Sequence, residues 1–309
     1  MKSLGKYLLK AVMAIFGILP LKVHYALARF LSWLACDVVG YRRDDVMVNL
    51  SRSFPEMKYE ELTRVRKDFY RHFGDLIAET VWFGASSAAR VRKQRIVEIA
   101  NPEVINHLAD VAPSVVTMYS HCGNWELLGG IENYNYTDTP IPFRENNFCV
   151  VYKALSSKVW DDIMRDNRCA PLHDSRNFPG YIESGDIIRY AFKHRDEQKF
   201  YNMNTDQSPY FNSGANVDIE FMHQRTRTMT GAAALARKFG MAVAYLSMNC
   251  DRRGHYVLQY TTICEDASTM SAADIMKKYY ELLERDINAN PANYLWTHRR
   301  WKIRMDNQE

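Results

Sequence analysis

The chain has 309 residues, 47% hydrophobic and 25% charged, with no Pro/Gly/Ser-rich linker, low-complexity segment or internal repeat, which excludes a disordered chain and points to one large α/β domain with appendages. The formal charge of +4 is unevenly placed: residues 1–43 carry Lys2, Lys6, Lys10, Lys22, Arg29, Arg42 and Arg43 against Asp37 alone, a net of +6. The remaining 33 basic and 35 acidic side chains leave −2, so the body offers no basic groove and nucleic acid is not expected as a partner.

In chain order, the first elements expected are two linked helices. The apolar stretch Ala11 to Leu21 is shorter than the roughly 20 residues of a bilayer span, and Pro20 sits near its end. A cleaved signal peptide is disfavoured, because no clear small-x-small site follows and the amphipathic pattern resumes at Val23. One reading lays two apolar faces (Leu8, Val12, Ile15 and Phe16, then Tyr25, Phe30, Trp33 and Leu34) into the acyl boundary, with the basic residues on anionic headgroups. A hydrophobic helix pair packed on the body would show the same periodicity. The division expected is therefore an N-terminal membrane-associating segment, 1–43, and an α/β body, 44–309.

Within the body, Leu62, Val65, Phe69, Phe73, Leu76 and Ile77 recur at helical spacing and Gly84 can end that helix. From residue 114 the pattern changes to short β-branched or aromatic runs, SVVTMYS, FCVVY, KFYNMN, VDIEF, VAYLSMN and YVLQYTTI. Helical stretches separate several of them, notably TGAAALARKFG and the SAADIMKKYYELLERDINANP run, where Ser271 precedes Asp274 by three residues and Pro291 stops the helix. Strands alternating with helices imply an α/β fold with a central, mainly parallel, covered sheet. Six cysteines scattered without a CxxC pair fit reduced thiols facing the cytoplasm.

The chemistry-bearing stretch is SHCGNWE, residues 120–126. On one continuous helix, His121 and Glu126 would lie about 140° apart and could not meet. If a strand ends at His121, a turn follows through Cys122 and Gly123, and a helix starts at the cap residue Asn124, then Glu126 could reach back to the imidazole and fix its tautomer. Such a histidine would stand at the carboxyl end of a strand, where open α/β sheets hold ligands. A zinc site lacks further ligands at workable spacing, since the other histidines are isolated. A Cys122 nucleophile would have its base on an adjacent, diverging residue. A polar turn without function remains open on these residues alone.

Four stretches together resemble the late acyltransferases of lipid A biosynthesis, the lauroyl and myristoyl acyltransferase family of Gram-negative bacteria: YRRDDVMVNLSRSFPEM, SHCGNWE with a His-x4-Asp/Glu motif, NTDQSP with an Asp-Gln pair, and NYLWTHRRWKIR. The resemblance implies a glycerol-3-phosphate acyltransferase-like fold and transfer of an acyl chain from an acyl carrier protein thioester to a hydroxyl of a membrane lipid at the cytoplasmic face of the inner membrane. It calls for no cofactor and no metal. It implies that His121 is the general base with Glu126 holding it, and that Arg168, Asp206 and Gln207 serve the substrates, with Asn124 and Lys153 beside them. Where the family usually reads Val-Tyr-Arg-Pro, this chain has Lys153 and Ala154, keeping the charge but losing the bidentate fork. That departure opens a second reading, an O- or N-acyltransferase acting on an aminolipid, glycolipid or lysophospholipid, and a non-catalytic membrane-bound homologue is a third. Backbone amides near Gly123 and the Arg168 guanidinium are the candidate oxyanion donors. In the closing stretch, Arg299, Arg300, Lys302 and Arg304 could meet lipid phosphates or the acidic carrier, or Trp296 and Trp301 could simply pack that segment onto the core.

Overall fold

A computed structural model describes residues 11–301, apart from 14, 176 and 210–215. Nine strands are present among the described residues: β1 (Val97–Ile99), β2 (Val115–Tyr119), β3 (Phe148–Tyr152), β4 (Tyr181–Glu183), β5 (Phe200–Asn204), β6 (Asn216–Phe221), β7 (Gln224–Met229), β8 (Ala242–Arg252) and β9 (His255–Cys264). Seven form one sheet in the order β1-β9-β8-β2-β5-β3-β4, parallel throughout except for the β8–β9 hairpin. The mainly parallel sheet expected from the alternation of runs is therefore present, but VDIEF is not part of it: β6 pairs with β7 in a separate antiparallel ribbon.

Alternation along the strands sorts apolar side chains onto two covered faces. On β2, Val116 and Met118 join a core with Tyr201, Val243, Tyr245, Ile275 and Tyr279, while Val115 and Tyr119 join one with Phe83, Ile105, Leu108 and Leu127. The helices that cover these faces start and stop where the sequence signals them. Ser271 accepts from the Asp274 amide at the head of Ala272–Ala289, and Tyr59–Phe83 ends at Gly84.

The helix Leu21–Trp33 lies against Tyr59–Phe83 through small residues. A Cβ on Gly74 would meet Ser32 Oγ at 1.9 Å and the Ala28 carbonyl at 3.0 Å, so only glycine permits that approach. Leu21, His24, Ala28 and Ser32 are buried on this side, whereas Val23, Leu27, Phe30, Leu31 and Trp33 on the other are 45–54% exposed. Val12, Ile15, Phe16 and Ile18 of the preceding helix, Ala11–Ile18, are exposed as well. Tyr25, expected on the outer face, instead turns inward and donates to Glu79 Oε1 at 2.8 Å. Leu8, Lys2, Lys6 and Lys10 lie outside the described residues. Among the described residues no single helix is long and apolar enough to cross a membrane; Ala11–Ile18 and Leu21–Val38 reach that length and composition only as a pair bent by 116°.

Candidate active site

Strands β2 and β5 are parallel neighbours in register, Tyr119 opposite Asn204, and two residues beyond each carboxyl end stand His121 and Asp206. The Thr205 amide still donates to the Tyr119 carbonyl at 2.9 Å, so the chain leaves the sheet with its spacing fixed. His121 Nδ1 donates to Asp206 Oδ1 at 2.7 Å and the His121 backbone amide donates to Asp206 Oδ2 at 3.2 Å. One carboxylate thus holds both the main chain and the ring of the same residue. With Nδ1 carrying the proton, Nε2 presents its lone pair, and the Asn204 and Gln207 side-chain amides face it at 3.2 and 3.3 Å. Burial pushes the Asp206 carboxyl up, but the charge and hydrogen bond of His121 and the charge of His298 outweigh it, and the net direction is down.

The expected contact between Glu126 and the imidazole is absent. Glu126 forms a bidentate pair with Arg168, Nε to Oε2 at 2.6 Å and Nη2 to Oε1 at 2.8 Å, and accepts from Trp125 Nε1 at 3.0 Å. The physical reason is twofold: Asp206 already occupies Nδ1, and a guanidinium offers a carboxylate a charged planar fork that a neutral ring cannot match. Arg168 closes the helix Lys158–Arg168, and its remaining nitrogen donates to Tyr181, whose ring stacks on Tyr152 at 4.0 Å. Burial lowers the Arg168 pKa, yet the adjacent Glu126 charge reverses this and the guanidinium is held more firmly protonated than usual.

Asn124 stands where a helix start was expected. It precedes a 3-10 helix, Trp125–Asn133, without capping it through its side chain, and it is fully buried. Its amide donates to Glu79 Oε2 at 2.9 Å and to the Leu76 carbonyl at 3.2 Å, so it ties the turn to the Tyr59–Phe83 helix. Lys153 is exposed, one residue beyond β3. Gly123 sits at φ +65°, and a Cβ there would meet the Met248 carbonyl at 2.7 Å, so the turn requires glycine. The Gly123 amide donates to the Asn293 carbonyl at 3.0 Å, which removes it as an oxyanion donor. Cys122 is 3% exposed, bridges to Tyr294, and has a thiol that burial pushes well up, against a nucleophilic role. Among the described residues no three His, Cys, Asp or Glu side chains converge as a metal-ligand group.

Sequence reasoning passed over three neighbours. His298, taken as isolated, stacks nearly parallel to His121 with centroids 6.0 Å apart. Its place in the NYLWTHRRWKIR stretch was the available signal. Asn204 stands two residues before Asp206 with no motif to mark it, and Glu79 lies in an ordinary helical pattern. The terminal stretches meet here too. Arg42 Nη1 donates to the Thr297 carbonyl at 2.8 Å, and Asn49 Nδ2 donates to the carbonyls of Trp296 and His298 at 2.9 and 3.2 Å. The Leu295 amide donates to the His121 carbonyl at 3.1 Å. Arg300 is 2% exposed and donates to the Arg227 carbonyl and the Tyr280 hydroxyl, and Trp301 donates to Thr226 Oγ1. The packing role thus holds for Trp296, Arg300 and Trp301, while Arg299 is exposed beside Asp45, and Lys302 and Arg304 lie outside the described residues.

A family model described as bacterial lipid A biosynthesis acyltransferase matches residues 1–303. The chain is also 24% identical over 296 residues to the lipid A biosynthesis lauroyltransferase of Escherichia coli (strain K12), covering 93% of this chain and 88% of that protein.

Proposed function

Because this chain belongs to the bacterial lipid A biosynthesis acyltransferase family, we propose that it moves an acyl chain from an acyl carrier protein thioester to a hydroxyl of a lipid A precursor. The observation that carries the mechanism is the 2.7 Å bond from His121 Nδ1 to Asp206, which leaves Nε2 as the acceptor at the half-buried amides. The hydroxyl donates its proton to Nε2 while its oxygen attacks the thioester carbonyl carbon. Collapse of the tetrahedral intermediate breaks the C–S bond, and the departing thiolate takes the proton from Nε2. Asp206 keeps the ring in the productive tautomer and stabilises the transient imidazolium. Glu126 acts one step away, by fixing Arg168 and Trp125, whose ring packs edge-on at 4.6 Å from His121.

The exposed apolar residues of the bent helical pair support a seat on the inner membrane's cytoplasmic face, with the acceptor lipid reaching the site from that surface. Purified protein with membranes and radiolabelled acyl carrier protein is expected to yield acylated lipid, and His121→Ala to abolish it without changing the circular dichroism spectrum. Unaltered turnover in that variant would remove the mechanism. Lys153 in place of the usual arginine favours one second reading, an O- or N-acylated aminolipid, glycolipid or lysophospholipid as product. Mass spectrometry of lipids from a deletion strain separates the two, and a chain inert toward every acyl thioester would be a non-catalytic homologue.

A further inference from the structure

The acyl transfer proposed above develops negative charge on the thioester carbonyl oxygen, and the Gly123 amide and the Arg168 guanidinium, both considered for it above, already have partners. The Gly123 amide is bonded to Asn293, and the Arg168 nitrogens to Glu126 and Tyr181. Two other donors converge on the reacting nitrogen. Asn204 Nδ2 and Gln207 Nε2 lie 3.2 and 3.3 Å from His121 Nε2. A neutral imidazole with Nδ1 protonated has one lone pair on Nε2, lying in the ring plane, so it cannot satisfy both amides. Two donors aimed at one acceptor mark a place where an oxygen with more than one lone pair fits better than the ring does.

The rest of the strand gives the contrast. Asn202, two residues earlier on β5, has its amide nitrogen bonded to the carbonyls of Cys149 and Phe200, and is a strut of the fold. Asn204 has no such anchor: its Oδ1 is buried without a partner among the described residues, and its nitrogen points only at His121. Both Asn204 and Gln207 are half-buried, beside the enclosed imidazole.

We propose that Asn204 and Gln207 are the oxyanion donors of this enzyme: the acceptor hydroxyl displaces their two amides from His121 Nε2, and they turn onto the thioester carbonyl oxygen as it becomes an alkoxide. The balance follows. The hydroxyl proton passes to Nε2, the hydroxyl oxygen bonds to the carbonyl carbon, and the π pair moves to the carbonyl oxygen, where the two N–H groups receive it. On collapse the C=O double bond reforms, the C–S bond breaks, and the thiolate takes the proton back from Nε2. The amides lose no proton at any stage. Their worth lies in being stronger donors to an alkoxide than to a ground-state carbonyl, which lowers the barrier and leaves substrate affinity nearly unchanged.

The test is steady-state kinetics of the full chain in detergent or vesicles, with acyl carrier protein thioester as donor, for wild type, His121→Ala, Asn204→Ala and Gln207→Met. Asn204 ends a buried strand, so thermal melts accompany the assay; Gln207 follows the strand, and Gln207→Met keeps length while removing the donor. Each amide variant is expected to lose about 10²-fold in kcat with KM for both substrates nearly unchanged. Full kcat in a folded Gln207→Met or Asn204→Ala variant overturns the assignment, as does a loss confined to KM of the acceptor, which would make the amides a binding subsite. If His121→Ala is inactive while both amide variants turn over normally, only this inference fails. A wild-type enzyme with no thioester-dependent transfer overturns the acyltransferase reading and this inference together.

Discussion

Two buried carboxylates grip the same turn, one at His121 and one at Asn124, and their surroundings drive them in opposite directions. Asp206, 1% exposed, holds His121, and the neighbouring imidazoles bring its pKa below the ordinary carboxylate range in spite of burial. Glu79, 0% exposed, holds Asn124 three residues further on, and accepts from Asn124 at 2.9 Å, Tyr256 at 2.7 Å and Tyr25 at 2.8 Å. All three partners are neutral and burial dominates, so the Glu79 pKa is pushed up to about 7, with Asp75 adding repulsion. Hydrogen bonds alone do not offset desolvation of a carboxylate; a neighbouring group able to carry positive charge does. The first arrangement suits proton transfer, the second suits a joint between the turn, β9 and the N-terminal helix.

The sharpest way to break this comparison is to exchange the charge on each side. Asp206→Asn is expected to lower kcat by about 10⁴-fold, with a smaller loss of stability, about 1–3 kcal/mol, from one buried donor left without its acceptor. Its single carbonyl oxygen cannot serve both the His121 backbone amide and Nδ1, so the NH₂ faces one of them. If it faces Nδ1, the proton moves to Nε2 and the base is lost. An Asp206→Asn enzyme with near-normal kcat would show that the ring tautomer is set elsewhere. Glu79→Ala is expected to act mainly on the fold, destabilising it by about 4 kcal/mol through a cavity and three donors, two of them buried, left without an acceptor. Denaturant titration measures this, and a loss under 1 kcal/mol would deny the joint. A smaller effect follows from titration. An unfolded Glu79 releases its proton near 4.5, whereas the folded carboxyl keeps it to about 7. Between those values the unfolded chain binds fewer protons, so stability falls as pH rises, by about 3 kcal/mol in all, and is flat above. Asp206 contributes oppositely, with stability present above the ordinary carboxylate value and lost as pH falls through its lower folded pKa. Glu79→Gln should erase the falling limb and leave the acid limb in place.

The architecture was legible in the sequence where local pattern and tertiary role agree. The β2, β3, β5, β8 and β9 runs and the Tyr59–Phe83 and Ala272–Ala289 helices follow from periodicity and caps. Strands β1 and β4, each three residues long, carry too few alternations to register, and VDIEF reads as a sheet strand because its pattern does not say which neighbour it pairs with. At the site, His121 is visible from SHCGNWE, but its orienting partner is not. The five-residue spacing makes Glu126 the nearest acid in sequence, whereas β2 and β5 bring Asp206 to the ring across 85 residues. Register between parallel strands decided that contact, and one sequence contains no statement of register. Asn204 and Glu79 were missed for the same reason, since a single amide on a strand or acid on a helix becomes significant only through what packs opposite.

The smallest change probes whether the N-terminal helix and the His121 turn are joined at all. Tyr25→Phe removes one hydroxyl from Glu79 and leaves the ring, over which the Arg253 guanidinium sits at 4.3 Å. A hydrogen bond to a charged acceptor of this kind contributes about 1.5–3 kcal/mol, so a loss of that size is expected when Glu79 is ionised, near pH 8. The Tyr25 hydroxyl also lowers the Glu79 pKa, so its removal should move the folded carboxyl higher still and extend the falling limb of stability toward alkaline pH. Below pH 4.5 the carboxyl is protonated in both states and needs one fewer donor, so the variant should there lie closer to the parent. A destabilisation that is the same at pH 4 and pH 8 would mean that Tyr25 acts through packing alone and that Glu79 does not sense the helix. A difference that grows through neutral pH would tie the apolar N-terminal face, through one phenol and one carboxyl, to the turn that carries His121.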